Sequence, residues 1–341
     1  MLTPPFLQNG DTIAIATSAR KITAEELQPA IDLFNSWGLN VHLPEGLFAA
    51  ENQFGGSDKQ RAGILQELLD DAGIKAIIFA RGGYGTVRII DEIDFTNFQK
   101  SPKWLIGYSD ITVLHSHIQE NYGIETLHAT MPVNFKNGNE DSLKSMEMLR
   151  SVLFGSNPEY VINAHSLNRK GIAKGSIIGG NLSILFSLLG SKSDCQTSGK
   201  ILFIEDIDEY LYHIDRMMVS LKRAGKFDNL AALVVGGFTD MKDNEIPFGR
   251  TAEEIIIDAV KEYDYPVVFN IPAGHQSKNF PLILGRDVIL TSGEPSSLSF
   301  NHPLPQKGFK ALKRILKPAA FIIGGFIVLY VLYSLLLGKI R

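Results

Sequence analysis

Between residues 11 and 120 the chain repeats one pattern: a short apolar run, a turn, then apolar residues at helical spacing. Asp11 to Ser18, rich in Ile and Ala after the turn residues Asn9-Gly10, predicts a first β-strand. Ala24 to Trp37 has helical periodicity, Gly38 stops it, and Leu39 to Leu43 is extended. Lys59 to Asp71 predicts a helix, Ile74 to Ala80 a buried strand, and Thr86 to Ile93 another helix. Trp104 to Gly107 predicts a strand, followed by a helix from Ser109 or Asp110 to about Glu120. Strands alternating with helices predict a parallel sheet covered on both faces.

A polar stretch from Asn137 to Arg169, with one helix at Asp141 to Leu153, separates this region from a second one. The second opens at Lys174 to Gly190 and continues with a strand at Ile201 to Asp206 and a helix at Tyr212 to Ala224. A strand at Leu230 to Phe238, a helix at Thr251 to Tyr263 and a strand at Val267 to Pro272 follow. Two short strands fit Pro281 to Gly285 and Asp287 to Ser292. The expected organisation is an N-terminal α/β domain over residues 1–136, a crossing over 137–170 and a second β/α domain over 171–300. A length of 341 residues suits two domains of ordinary size.

The end of the chain breaks the pattern. Ala319 to Leu337 runs nineteen residues without a charge. As a helix it would span about 28 Å, close to the hydrocarbon core of a bilayer at about 30 Å. Basic residues flank it, so a single transmembrane helix at 319–337 is expected, joined to the body by a basic linker over 301–318. The N-terminus has no basic run before an apolar one and does not read as a secretory signal. The expected arrangement is a C-terminal anchor in the cytoplasmic membrane with the body facing the cytoplasm.

Charge sharpens the contrast. Seven of the 33 Lys and Arg lie after residue 300 and none of the 37 Asp and Glu do, leaving residues 1–300 at a net −11. An acidic body argues against nucleic acid as a partner, because neutralising phosphates needs a basic face. One cysteine, Cys195, excludes an internal disulfide and a Cys-rich zinc site.

Three strand ends carry candidate chemistry, since ligands of α/β sheets bind there. In WLIGYSDITVLHSHI an apolar strand breaks at Gly107, and Ser109 stands where the chain turns into a helix. That is the arrangement of a nucleophile elbow, although only half of G-x-S-x-G is met. A helix N-cap is the competing role for Ser109. In IIFARGGYGTVR a strand runs into Arg81-Gly82-Gly83-Tyr84-Gly85, a loop that brings backbone N–H groups to an oxyanion or phosphate, or is a plain tight turn. It lacks the spacing and the lysine of nucleotide loops. The third is the acidic strand end Glu205-Asp206-Ile207-Asp208-Glu209, taken with the turn Pro272-Ala273-Gly274-His275. A hydroxyl, an acid and a His at separate strand ends are the parts of a hydroxyl-nucleophile triad. His128 competes for the base, and Asp206, Asp208 and Glu209 for the acid. No metal is expected: His115 and His117 are two apart on a helix and point about 200° apart, and no paired His/Cys spacing occurs.

In order along the chain, ARGGYG, IGYSD, TLHATMP, GGNLSILFSLLG, LFIEDIDEYLYHIDRM, VVGGFTD and IPAGHQSKNFPLILG resemble the LD-carboxypeptidases, serine peptidases of the muramoyltetrapeptide carboxypeptidase type that include microcin-immunity hydrolases. The resemblance covers nearly all of residues 5–300. It implies an N-terminal α/β domain of the class I amidotransferase type, a C-terminal swivelling β/α domain, and no cofactor. It puts the catalytic serine on Ser109, the glutamate on Glu205 and the histidine on His275. The N–H of Asp110 and one from Gly82 or Gly83 would bind the oxyanion, and Arg81 is a candidate clamp for a substrate carboxylate. The implied reaction removes the terminal D-Ala from murein tetrapeptides during peptidoglycan recycling, by a homodimer. A membrane helix departs from the usual family chain. Two other functions stay open: a microcin-type hydrolase of peptidyl-nucleotide amides, and a non-catalytic membrane-anchored binder of muropeptides or nucleotides.

Overall fold

The computed structural model describes residues 1–300. The membrane helix expected at 319–337 and its basic linker lie outside the described residues. Among the described residues no helix is long and apolar enough to cross a membrane.

The first sheet takes β1 (Thr12–Ala16), β2 (Asn40–His42), β3 (Ile74–Phe79), β4 (Trp104–Gly107) and β5 (Thr126–His128) in the spatial order β5-β4-β3-β1-β2, all parallel. Helices α1 (Ala24–Ser36) and α2 (Asp58–Asp70) each open with a capping box, Thr23 with Glu26 and Ser57 with Gln60. Alternation along β1, β3 and β4 divides their side chains between two cores. Ile13, Ile15, Ile78, Trp104 and Ile106 pack with Leu27 and Phe34 of α1. Ala14, Ala16, Ile77, Phe79 and Leu105 pack with Leu65, Leu68 and Leu69 of α2.

Two expected elements change form. Thr86 to Ile93 is not a helix but two 3-10 turns, Thr86–Arg88 and Ile90–Glu92. Its β-branched residues, Thr86, Val87, Ile89, Ile90 and Ile93, are poor helix formers. After β4 the chain makes a 3-10 turn over Ser109–Ile111 before α4 (Thr112–Tyr122), which ends on left-handed Gly123; the short α3 (Thr96–Lys100) precedes β4.

After α5 (Glu140–Leu153) a second sheet of seven strands forms. It contains β6 (Glu159–Ile162), β7 (Gly171–Asn181), β8 (Ile201–Ile207), β9 (Ala232–Thr239), β10 (Val267–Val268), β12 (Asp287–Ser292) and β13 (Ser296–Phe300). Its order is β10-β9-β8-β7-β12-β13-β6, parallel from β10 to β7 and antiparallel beyond. Short α6 (Leu182–Ser187), α7 (Leu211–Arg223) and α8 (Ala252–Ala259) contribute to the core on one face through Leu182, Met218 and Ile256. The other face, through Ile177, Ile201, Phe203 and Val234, joins the same core as β4 and α1. The two sheets therefore share a hydrophobic interior, and Met1–Asn301 is one compact unit.

The strand β11 (Leu282–Leu284) does not stay with its neighbours in sequence. It pairs antiparallel with β5 and completes the first sheet as a sixth strand. Arg286 sits in the short step from β11 to β12, where the chain passes from one sheet to the other. Its guanidinium grips Glu125 at 2.6 Å with both groups nearly buried, and also reaches Asn157 at 3.1 Å. Removing one partner strands a buried charge. Arg286→Ala is expected to lower unfolding free energy by about 3–5 kcal/mol in denaturant titrations, and Arg286→Met with Glu125→Leu by clearly less.

Candidate active site

Ser109 follows Tyr108, which is extended, and itself adopts φ +64°, a left-handed conformation unusual for a residue with a side chain. The turn is sharp because Gly107 has no side chain; a Cβ there would meet Ile111 at 2.8 Å. Ser109 does not cap the helix. The N-cap position of α4 is Ile111, and no side-chain capping bond forms. The hydroxyl instead opens on a cleft of about 440 Å³, lined also by Arg81, Gly82, Gly83, Tyr108 and His275.

The glycine loop after β3 is fitted against this elbow. A Cβ on Gly82 would fall 2.9 Å from the Ser109 Cβ and 3.0 Å from its Oγ. Only glycine permits so close an approach. Gly85 lies against the buried Arg61, whose guanidinium donates to the carbonyls of Ser18, Gly56 and Gly85. Arg61 thereby ties the loop after β1 to the loop after β3. Asp110 turns its side chain away from the cleft: Oδ2 accepts the Thr86 N–H at 2.8 Å, and burial pushes the carboxyl upward.

Glu205 comes from the second sheet. Alternation along β8 places it on the side of Ile201 and Phe203, towards the first sheet. The register with β9 slips there, so that Gly236 and Gly237 lie opposite Glu205. Its side chain has no exposed surface. Oε2 accepts two bonds from one residue, the His275 N–H at 3.1 Å and Nδ1 at 2.7 Å. Gly274, at φ +103°, makes room: a Cβ on it would stand 2.7 Å from that oxygen. Because a carboxylate accepts, Nδ1 carries the proton and Nε2 is left as the basic nitrogen. Burial disfavours the imidazolium, but the charge and hydrogen bond of Glu205, with Asp206 beyond, outweigh it and raise the pKa of His275. The ring of Tyr108 lies against His275 at 4.8 Å, and its phenol donates to Asn134 at 3.2 Å. Among the described residues no hydrogen bond joins Ser109 to His275; both face the same cleft.

The competing residues are engaged elsewhere. His128 is enclosed by Tyr108, His115 and Phe203, and burial holds it well below the ordinary histidine range. Asp206 accepts from Asn181 Nδ2 and the Ser183 N–H at 2.9 Å each, while burial and then Glu205 push it up to about 7. Asp208 pairs with Lys242 at 2.6 Å, and Glu209 with His213 at 3.0 Å. His115 Nε2 donates to the Gly107 carbonyl, whereas His117 bonds Ser193, so the two diverge. Among the described residues no three side chains are grouped to hold a metal. Arg81 lines the cleft but is held by Glu26 at 3.7 Å and the Lys21 carbonyl at 3.3 Å.

Sequence reasoning passed over Tyr108, Asn181 and Ser183 and weighed Asp206 only as a rival acid; all four line the cleft. The signal available was GGNLS, a glycine pair at a strand end followed by Asn and Ser. Gly180 lies so close to Thr112 that a Cβ would clash at 2.5 Å, and the Thr112 hydroxyl accepts the Asn181 N–H at 3.0 Å. The end of β7 is thus docked onto the first turn of α4, one helical step from Ser109.

Two family models match the chain: the LD-carboxypeptidase N-terminal domain over residues 12–129 and the LD-carboxypeptidase C-terminal domain over residues 174–290. A probable murein peptide carboxypeptidase of Bacillus subtilis is 33% identical over 86% of this chain and 93% of its own length. The crystal structure of muramoyltetrapeptide carboxypeptidase from Oxalobacter formigenes superposes with a TM-score of 0.78 at 26% identity, covering 86% of this chain and all of that one. The microcin C7 self-immunity protein MccF, solved with aspartyl sulfamoyl adenosine, gives 0.80 at 20% identity over 89% of this chain and all of its own, a likeness of fold. With both halves matched in order and a third of the residues shared with one relative, the chain belongs to the LD-carboxypeptidase family and is a serine-type carboxypeptidase.

Proposed function

We propose that this protein removes the terminal D-Ala from murein tetrapeptides by a Ser109–His275–Glu205 triad. The observation that carries the reading is the 2.7 Å bond from His275 Nδ1 to a fully buried Glu205, beside a cleft onto which a left-handed Ser109 opens. Nε2 of His275 takes the proton of Ser109 as its oxygen attacks the scissile carbonyl. Charge developing on the carbonyl oxygen of the substrate is met by the N–H of Asp110 and one from Gly82 or Gly83, the glycine loop standing in contact with the serine. Collapse breaks the C–N bond, and the imidazolium gives its proton to the leaving amine. Water then attacks the acyl-serine with His275 again as base, returning the Ser109 hydroxyl. A small shift of the imidazole within the cleft completes the Ser109–His275 bond when substrate is present.

The cellular role in this reading is recycling of cytosolic murein peptides by a homodimer tethered through residues 319–337. The same fold in a protein solved with aspartyl sulfamoyl adenosine keeps peptidyl-nucleotide amides as the rival substrate class. Mass spectrometry of a tetrapeptide panel beside an aminoacyl sulfamoyl adenosine separates the two. Loss of one residue from the tetrapeptide alone is expected, and cleavage of the nucleotide alone would reverse the assignment.

Ser109→Ala is expected to abolish labelling by a fluorophosphonate and to lower kcat on the order of 10⁴-fold or more, with His275→Ala similar and the double variant little worse. Wild-type turnover in Ser109→Ala would remove the nucleophile assignment.

The base must be neutral to accept the serine proton, so kcat/KM falls as pH drops through the pKa of His275. That pKa is raised, which puts the acid limb above the ordinary histidine value of about 6.5. Glu205→Gln removes the charge that raises it and should move the limb of the residual activity to lower pH. An unmoved limb would detach Glu205 from the base.

Full-length protein is expected in the membrane pellet after a carbonate wash, and a chain ending near residue 305 in the supernatant with activity intact. Protease added outside spheroplasts should spare the body. Digestion of the body there would place it on the other side.

A further inference from the structure

Four charged side chains line the cleft beside Ser109: Arg20, Arg81, Asp206 and Asp208. Three are already answered by the protein. Arg81 is held by Glu26 and the Lys21 carbonyl, Asp206 by Asn181 and the Ser183 N–H, and Asp208 by Lys242. Arg20 differs. Among the described residues its guanidinium has neither an acidic partner nor a hydrogen bond, and the residue is exposed.

Its position is fixed by its stem rather than by its charge. A Cβ on Gly83 would fall 2.4 Å from Arg20 Cδ and 2.5 Å from Cγ, so the arginine lies across the place where any other residue would carry a side chain. Gly83 is also at φ +117°, where side chains are strained. The neighbouring Gly82 is in the same relation to Ser109. Two consecutive glycines are therefore contacted by the serine and by the arginine stem, and both side chains line the same cleft.

A carboxypeptidase must recognise a carboxylate one residue beyond the bond it cuts. A guanidinium suits this, because its parallel N–H groups meet both oxygens. An arginine with an internal acidic partner would have to break that pair first. Arg20 has none to break, whereas Arg81 is spent on holding its loop to Glu26 and Lys21.

We infer that Arg20, rather than Arg81, binds the free α-carboxylate of the substrate's terminal residue; the inference rests on the carboxypeptidase reading above. The carboxylate reaches the cleft already ionised and leaves with the released amino acid, so Arg20 sets which chain ends are accepted and takes no part in proton transfer.

The test uses full-length protein and two probes, a murein tetrapeptide ending in free D-Ala and the same peptide with a C-terminal amide. Wild-type enzyme should prefer the acid. In Arg20→Gln, kcat/KM on the acid should fall about 10- to 100-fold, mainly through KM, as expected for losing a hydrogen-bonded charge pair. The rate on the amide should barely change, so the preference collapses. Arg20→Lys should recover part of it. Arg81→Gln should slow both peptides alike, since it loosens the loop without touching the carboxylate. Arg20→Gln that keeps the full preference for the acid, while wild-type enzyme cleaves it, overturns the clamp alone. Wild-type enzyme that releases no terminal residue overturns the carboxypeptidase reading and the clamp with it.

Discussion

A carboxylate cut off from water costs several kcal/mol to hold unless a partner answers it, and Glu205 is answered through one oxygen by one residue, His275. Much of the local architecture can be traced to that pair. Alternation along β8 turns the side chain towards the first sheet, the slipped register sets Gly236 and Gly237 opposite it, and Gly274 leaves the space in which imidazole and carboxyl meet. The backbone N–H of His275 bonds the same oxygen as its ring. The turn and the side chain are therefore oriented by a single acceptor, and moving Glu205 would displace both.

The serine comes from the other sheet. Ser109 belongs to the first sheet, and its geometry comes from Gly107, Gly82 and the Arg61 clasp beneath the glycine loop. What sets the two halves in register is the interior they share and the docking of Gly180 and Asn181 on Thr112. Neither half alone holds a complete set of groups for acyl transfer. Asp206, next to Glu205, works in both directions: it raises the basicity of His275, and it anchors the start of α6 through Asn181 and Ser183, which line the cleft.

Most of the strand and helix order was legible in the chain, because β1, β3, β4, β8 and the first two helices carry strong periodicity and clear punctuation. The failures share a cause. β5 has three residues, β13 reads SSLSF and β6 lies in a polar stretch, so each owes its form to neighbours rather than to its own pattern. The 3-10 turns after Gly85 replace the expected helix in a segment whose β-branched residues, Thr86, Val87, Ile89, Ile90 and Ile93, favour it weakly. At the site, the strand ends pointed to Ser109, Glu205 and His275 as a group. They did not separate Glu205 from Asp206, Asp208 and Glu209, since that choice depends on a register slip and on which acid a glycine turn can approach. Arg81 stood out because it adjoins the glycines; Arg20 is sixty-one residues earlier and meets them only in three dimensions.

The placement of β11 beside β5 has a consequence for synthesis. The serine-bearing sheet is finished by residues 282–284, although its other strands end at His128. A ribosome adding roughly 5–20 residues each second spends many seconds between the two. Throughout that interval the outer edge of β5 offers unpaired backbone groups, the kind of edge that recruits strands from other chains. The nascent protein emerges with the Ser109 turn made and its first sheet open, and the edge strand that closes that sheet comes only when nearly the whole body has been made. Segments emerging in between, β6 to β10 among them, do so beside an unfinished sheet.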